Sequence, residues 1–178
     1  DGAVLVYNPL GVEQTVLTKI DGVTDESGEQ VASLGWTVIE PKETKCGVKL
    51  GTNTAENKYY KMKIDASGRI VSLYDKVNRR DVFKKGEFGN ELRVFEDLPR
   101  DYDAWEISNF HKQKMWKLDA PAKIEPITDG TRAGFKVVHK YLDSEIEQNI
   151  WLYTECQRID FETKADWHQK FQLLKASF

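Results

Sequence analysis

The sequence predicts an all-β chain. Period-two alternation of apolar and polar residues dominates its 178 residues, turn-forming clusters recur between the alternating runs, and convincing helical stripes are few. Regular short strands with turns between them argue for antiparallel sheets packed face to face. At this length one large domain or two small ones fit, and about 70% of the unfolded surface can be buried without a staple.

Taken in order, Ala3-Val4-Leu5-Val6-Tyr7 reads as a short buried strand, stopped by Asn8-Pro9 because proline cannot continue the ladder. Val12 to Ile20 and Leu34 to Ile39 read as further strands, with Asp25-Glu26-Ser27-Gly28 as the turn cluster between them. Lys42 to Asn57 is rich in Lys, Thr, Gly and Asn and marks the best candidate for a boundary. Tyr60, Met62 and Ile64 then alternate with Lys61, Lys63 and Asp65, Ala66-Ser67-Gly68 turns the chain, and Ile70, Val71 and Leu73 carry it back. Glycine at the end of that turn supplies the positive φ a tight hairpin needs. Asp75 to Arg80 follows as a charged turn, and Asn90 to Phe95 as another strand. Lys114 to Leu118, Gly134 to Leu142, Glu145 to Tyr153, Gln157 to Thr163 and Phe171 to Phe178 complete the strands, with tight turns at Asp143-Ser144 and Glu155-Cys156. No internal repeat or low-complexity stretch interrupts them.

Composition excludes several function classes. A net charge of -3 with mixed signs gives no electrostatic case for nucleic acid or an anionic membrane. No apolar run approaches the length of a membrane span, and the first residues lack a secretory pattern. Cys46 and Cys156 stand in no metal or redox spacing and read as small buried thiols, so a reducing compartment and a cytoplasmic location are expected. The strand-like opening without a methionine reads as a piece of something longer.

The stretch Phe95-Glu96-Asp97-Leu98-Pro99-Arg100-Asp101-Tyr102-Asp103-Ala104-Trp105-Glu106 crowds acids, an arginine and aromatics around a proline that forbids regular structure. Flat rings beside carboxylates are what holding a sugar requires: the ring stacks on the apolar C–H face, and the acids accept hydrogen bonds from hydroxyls. The competing reading is a surface turn whose Tyr102 and Trp105 fold back onto the core. Glycoside hydrolysis needs two carboxyl groups roughly 5–9.5 Å apart, and Asp97, Asp101, Asp103 and Glu106 could supply such a pair by count alone. With 29 acidic residues some pair is inevitable, so the stretch argues for sugar contact and not for hydrolysis.

Other constellations are weaker. None of His111, His139 and His168 has a second ligand at a zinc spacing within one element, which favours three unrelated histidines and no cofactor in this chain. No glycine-rich phosphate loop or Gly-x-Ser-x-Gly elbow occurs. Asp166-Trp167-His168 reads as a core tryptophan flanked by exposed polar residues, and the basic run Lys76 to Arg80 with Lys84 and Lys85 as a solvated loop. An aldose epimerase would want paired histidines and a glutamate base. His139 and His168 with Glu145 or Glu147 could be nominated, without support from their spacing.

Several motifs in register carry a family resemblance over nearly the whole chain. Glu56-Asn57-Lys58-Tyr59-Tyr60-Lys61-Met62-Lys63-Ile64-Asp65 and Gly68-Arg69-Ile70-Val71-Ser72-Leu73-Tyr74-Asp75-Lys76 resemble the β-domain of family 38 α-mannosidases, the bacterial and vacuolar-type branch above all. Arg80-Asp81-Val82, Asn90-Glu91-Leu92, Phe95-Glu96-Asp97-Leu98-Pro99 and Tyr102-Asp103-Ala104-Trp105-Glu106-Ile107 continue it. So do Arg158-Ile159-Asp160-Phe161-Glu162-Thr163, Asp166-Trp167-His168 and Leu173-Leu174-Lys175, while Val6-Tyr7-Asn8-Pro9-Leu10 is similar to the strand that follows the helical bundle in these enzymes.

The resemblance implies a small β-sandwich over residues 1–49, followed over 50–178 by the N-terminal portion of a galactose-mutarotase-like β-supersandwich, truncated at its end. It implies a non-catalytic β-domain of a zinc-dependent retaining α-mannosidase whose zinc ligands and aspartate nucleophile lie in an α/β barrel and helical bundle. None of those motifs occurs here, so no metal ligand or catalytic residue carries over. In the related branch the Tyr102–Glu106 motif faces the barrel. Trp105 and Tyr102 are therefore expected to wall an α-mannoside site, with Asp103 accepting a hydroxyl hydrogen bond. Glu106 stands where relatives often carry aspartate, so its carboxylate reaches one methylene further. The partners implied are the sugar and the barrel and bundle of the same parent. A free-standing carbohydrate-binding sandwich is the alternative. If Phe178 ends inside a sheet, its bare edge is expected to give a homodimer or poor solubility.

Overall fold

The structure, a computed structural model, describes residues 3–16, 18–20, 23–25, 29–40, 45–102 and 105–178. It is all-β there. The strands are β1 (Val4–Tyr7), β2 (Gln14–Thr15), β3 (Thr18–Ile20), β4 (Val23–Asp25), β5 (Gln30–Val31) and β6 (Trp36–Ile39). Next come β7 (Lys49–Leu50), β8 (Thr54–Glu56), β9 (Tyr60–Ile64), β10 (Ile70–Asp75), β11 (Arg80–Asp81) and β12 (Glu91–Glu96). After a 3-10 turn (Asn109–Gln113) follow β13 (Met115–Lys117), β14 (Lys123–Thr128), β15 (Arg132–Tyr141), β16 (Ser144–Tyr153), β17 (Ile159–Asp166) and β18 (Gln172–Ser177). Among the described residues every strand pairing is antiparallel.

The first strands form three separate pairs, β1-β6, β2-β5 and β3-β4. The rest form a sheet ordered β11-β10-β9-β8-β7, a sheet β13-β12-β18 and a sheet β14-β15-β16-β17. The predicted hairpin is β9-β10, and its turn is built by one side chain. The Asp65 carboxylate accepts from Ser67 N at 2.9 Å, Ser67 Oγ at 2.8 Å and Arg69 N at 3.1 Å. Burial pushes the Asp65 carboxyl up, but these donors and the Arg69 side chain outweigh it and hold it below its usual value. Gly68 adopts φ +74°, and a Cβ there would lie 2.4 Å from Val137 Cγ1, so both conformation and space demand glycine.

The core follows from strand alternation. Met62, Ile64, Ile70 and Leu73 of the hairpin share one apolar cluster with Phe135, Val137, Ile150 and Leu152 of β15 and β16. Each such fully buried side chain contributes about 1.5–3 kcal/mol. A second cluster joins Leu92, Val94, Leu118 and Ile146, and a third joins Val16, Val31 and Ile39 beneath β1. Trp167 packs on the second cluster with its ring stacked on Tyr141 at 5.8 Å, as the reading of a core tryptophan between exposed polar neighbours expects.

Several elements differ from the sequence reading. The strand expected over Val12 to Ile20 divides into β2 and β3. The one expected from Leu34 starts at Trp36, since Leu34 takes φ 52° in the turn, where its N–H donates to the Leu10 carbonyl. β1 is not buried on both faces: Leu5 and Tyr7 point to solvent. The polar stretch after Lys42 contains β7 and β8, which extend the hairpin sheet through Ala55 opposite Met62. β14 was not anticipated, because Pro126 and alternating charge disguise it. It lies at a sheet edge, where proline's missing donor costs no ladder bond. Glu26, Ser27, Gly28 and Lys42 lie outside the described residues.

Gly134 sits in mid-strand opposite Trp151, and a Cβ there would fall 1.8 Å from the Ile150 carbonyl oxygen. Gly134→Ala should therefore cost roughly 3 kcal/mol by forcing β15 off β16. Urea unfolding measures it, and a loss below about 1 kcal/mol would mean the strands relax at little expense.

His139 is buried on the core face of β15, and desolvation lowers its pKa below the ordinary value, against a smaller upward pull from the Asp65 charge. The unfolded chain takes up a proton near pH 6.5 while the folded ring stays neutral to lower pH. Stability should thus fall on acidification from about pH 7 through 6.5. In His139→Gln, melting curves recorded between about pH 7 and 5 should lose that slope. An unchanged slope would assign it to another group.

Candidate functional site

The long loop between β12 and β13 is held closed at its base. Glu96 N donates to the Lys114 carbonyl at 3.1 Å, and Lys114 Nζ pairs with Glu96 Oε1 at 2.7 Å. Asp97 N donates to the Phe171 carbonyl at 2.8 Å, tying the outgoing chain to the residue before β18. On the return side Ser108 caps the 3-10 turn, its Oγ accepting from Phe110 N at 3.3 Å. His111 fastens that turn to the sheet. Its Nδ1 lies 2.7 Å from the Ser108 carbonyl, its Nε2 lies 3.1 Å from Lys175 Nζ, and its ring meets Phe95 edge-on at 5.4 Å. An ammonium only donates, so Nε2 is the acceptor and Nδ1 the donor.

β12 is anchored by a buried charge. Glu91 is 2% exposed and pairs with Arg69 of the hairpin turn at 3.4 Å, with Lys117 of β13 at 3.0 Å, and with Arg93 of its own strand. Burial pushes the Glu91 carboxyl up, but the Lys117 and Arg93 hydrogen bonds prevail and hold it below the usual glutamate value. One residue earlier, Asn90 takes φ 56° and donates across to Gln148 Oε1 at 3.0 Å. These contacts position the strand from which the loop springs.

At the loop tip the expected sugar-contacting residues come together in part. Trp105 N and Glu106 N both approach the Tyr102 carbonyl, at 3.4 and 3.1 Å, which sets Tyr102, Trp105 and Glu106 around one turn. Tyr102 is 66% exposed and Trp105 88%. The stretch is a surface turn, but its rings do not fold back onto the core as the competing reading expects. Glu106 is exposed as well. Asp103 lies outside the described residues.

Beside the tip, Glu96, Leu98, Arg100, Phe110, His111 and Lys114 border a groove of about 590 Å³. The sequence reading did not single out Phe110, which stands exposed on the rim. The usable signal was the Ser108 cap followed by Phe110-His111.

A second cluster unforeseen in the sequence lies on the outer face of β15–β17. The Arg132 guanidinium stacks 4.2 Å from the Trp151 ring and pairs with Asp129 and Glu162, each at 2.6 Å. Trp151 Nε1 donates to Glu162 at 3.0 Å, and Tyr153 OH donates to Asp160 at 2.6 Å. Burial and then the Asp160 hydrogen bond push the Tyr153 hydroxyl up to about 12. Trp151 and Tyr153 are covered, so their faces cannot receive a ligand, and the cluster is a brace for the sheet.

The epimerase nomination is not assembled. His139 faces the core, whereas Glu145 and Glu147 lie on the opposite face of β16, Glu147 paired with Lys136 at 2.7 Å. His168 follows β17 and sits 3.1 Å from Asp166. Cys46 and Cys156 are half-buried and not disulfide-bonded. Among the described residues no group of three or more His, Cys, Asp or Glu is placed to hold a metal ion, so they offer no fit to the zinc the resemblance implies for a parent enzyme.

Comparison with known proteins places this architecture. The model described as "Glycosyl hydrolases family 38 C-terminal domain" matches residues 55–178. "Alpha-mannosidase 2C1" of Homo sapiens is 27% identical over 133 residues, covering 72% of this chain and 13% of the relative. "Alpha-mannosidase G" of Dictyostelium discoideum is 33% identical over 128 residues, covering 67% of this chain and 12% of the relative. The chain thus spans about an eighth of the length of these proteins.

Neutralising the anchor tests the site's support. Glu91→Gln should destabilise the chain by about 3 kcal/mol, since it leaves the facing cations without a full countercharge. Denaturant midpoints measure the loss, and amide shifts across residues 97–114 should move with it. A change under about 0.5 kcal/mol would show that Glu91 is not the anchor.

Proposed function

The chain belongs to family 38 of the glycosyl hydrolases through their C-terminal domain, and from that premise we propose that it is the non-catalytic β-domain of a longer α-mannosidase. In this reading it contributes one wall of an α-mannoside site. The observation that carries the reading is the loop tip within the matched region, where Tyr102 and Trp105 stand exposed beside Glu106. An exposed ring offers an apolar face to the C–H face of a sugar, and a neighbouring carboxylate accepts from its hydroxyls. Trp105 and Tyr102 supply the wall, while Asp103 and Glu106 accept hydroxyl hydrogen bonds. The base of the loop, pinned by Lys114 and His111, orients them.

Zinc, the nucleophile and the acid that break the glycosidic bond belong to other parts of the parent, an α/β barrel and a helical bundle. In this reading residues 1–49 are the small sandwich of that architecture and residues 50–178 belong to its large mutarotase-like supersandwich, with the junction at β7, whose Lys49 and Leu50 already pair with β8. The location is cytoplasmic. A second reading, a free-standing carbohydrate-binding sandwich, is favoured by the 88% exposure of Trp105, since a platform so open could bind sugar without a partner domain.

Residues 1–178 alone should show no hydrolysis of an aryl α-mannoside with added zinc. Turnover well above a blank would overturn the non-catalytic assignment. Titration calorimetry with mannose and short mannosides should be silent on the isolated chain. A heat of binding abolished by Trp105→Ala would instead establish the module. In the longer polypeptide, Trp105→Ala should lower kcat/KM about tenfold or more.

A further inference from the structure

The pair β1-β6 is apolar on both faces. Val4, Val6 and Ile39 point inward to the third core cluster. Their alternating neighbours form two cross-strand pairs on the other side, Leu5 opposite Val38 and Tyr7 opposite Trp36, and each of these four is more than half exposed. The apolar surface continues past the strand ends. Leu34 N donates to the Leu10 carbonyl at 3.0 Å, and both of those side chains, with Val12, are also more than half exposed. Exposed aromatic and aliphatic side chains of this number amount to several hundred Å², on the scale of the roughly 300–600 Å² of the largest patch on a typical monomer, which is often functional. A strand pair apolar on both sides is the pattern of strands covered on both sides.

We propose that this outer face is the seat of a further domain of the same, longer polypeptide, which packs an apolar surface across Leu5, Tyr7, Trp36 and Val38. The inference rests on the reading of the chain as one domain of a longer α-mannosidase and names the contact that joins it to the rest. Two observations favour this occupant. The relatives extend far beyond the matched region, which covers 12–13% of their length. The two cross-strand pairs carry no charged side chain, so the partner is recognised by shape and apolar area and not by ion pairing. A sugar is not the occupant, because no carboxylate, amide or guanidinium stands among these four residues to bind hydroxyls.

The test compares Trp36→Glu in two settings: residues 1–178 alone, and the polypeptide of the uninterrupted reading frame. In the short chain the substitution should leave the melting temperature within about 1 °C, while reducing binding of an apolar dye severalfold. In the long polypeptide it should lower the melting temperature by about 3 °C or more and open the junction to limited proteolysis. An unchanged long polypeptide overturns the proposal even when its mannosidase activity confirms the parent. A reading frame that encodes no other domain removes the parent reading and this contact together. Sedimentation of the short chain covers the other occupant. A dimer dissociated by Trp36→Glu would assign the face to a second copy and overturn the proposal.

Discussion

The placement of the loop depends on one buried carboxylate. Glu91 opens β12, and its partners come from three directions: the hairpin turn, its own strand and β13. A charge at 2% exposure is tolerable only when such partners compensate its desolvation. That requirement is geometric. Arg69 must be held by the Asp65 turn, as it is at 2.8 Å, and β13 must run beside β12 for Lys117 to arrive. The β13 end of the loop therefore cannot drift from the β12 end without breaking the pairing of a buried ion. Lys114 and Glu96 repeat the clasp at the loop's mouth, where solvent makes it weaker.

Two aromatic clusters in this chain show how the same residue types serve opposite ends. Around Arg132, the faces of Trp151 and Tyr153 are covered by a guanidinium, and their polar atoms are consumed by Glu162 and Asp160. Nothing remains to offer a ligand. At the loop tip the inventory is similar, with rings, acids and an arginine, yet the proline and the absence of a strand partner leave Tyr102 and Trp105 outward. Exposure, not composition, separates the two clusters.

That distinction explains what the sequence could disclose. The all-β class, the β9-β10 hairpin and most strand positions were legible, because alternation and turn chemistry are local signals. β14 was hidden by Pro126, whose meaning depends on whether a strand lies at an edge, a property of the sheet and not of the segment. The direction of Tyr102 and Trp105 was equally undecidable from residues alone, since a ring beside acids satisfies a core rim or a sugar face. The Arg132 brace joins positions on three strands that no spacing rule connects. The role of His111 was hidden because it arises from Lys175 and Phe95, which are distant from it in the chain.

The exposed aromatic surfaces of the molecule differ in chemistry, and that difference argues against a common role. Tyr102 and Trp105 interleave with Asp101 and Glu106, so whatever meets the rings also meets hydrogen-bond acceptors, as a polyhydroxylated ligand requires. Tyr7 and Trp36 neighbour Leu5 and Val38 across the strand pair. A hydroxylated ligand there would lose water from its polar groups and find only the Tyr7 hydroxyl and the Trp36 indole N–H in exchange, at a cost of about 1–3 kcal/mol for each group left unsatisfied. A packed apolar surface loses nothing of the kind. The two exposed surfaces thus differ in what lies between the rings: acceptors at the tip of the loop, aliphatic side chains on the outer face of β1-β6.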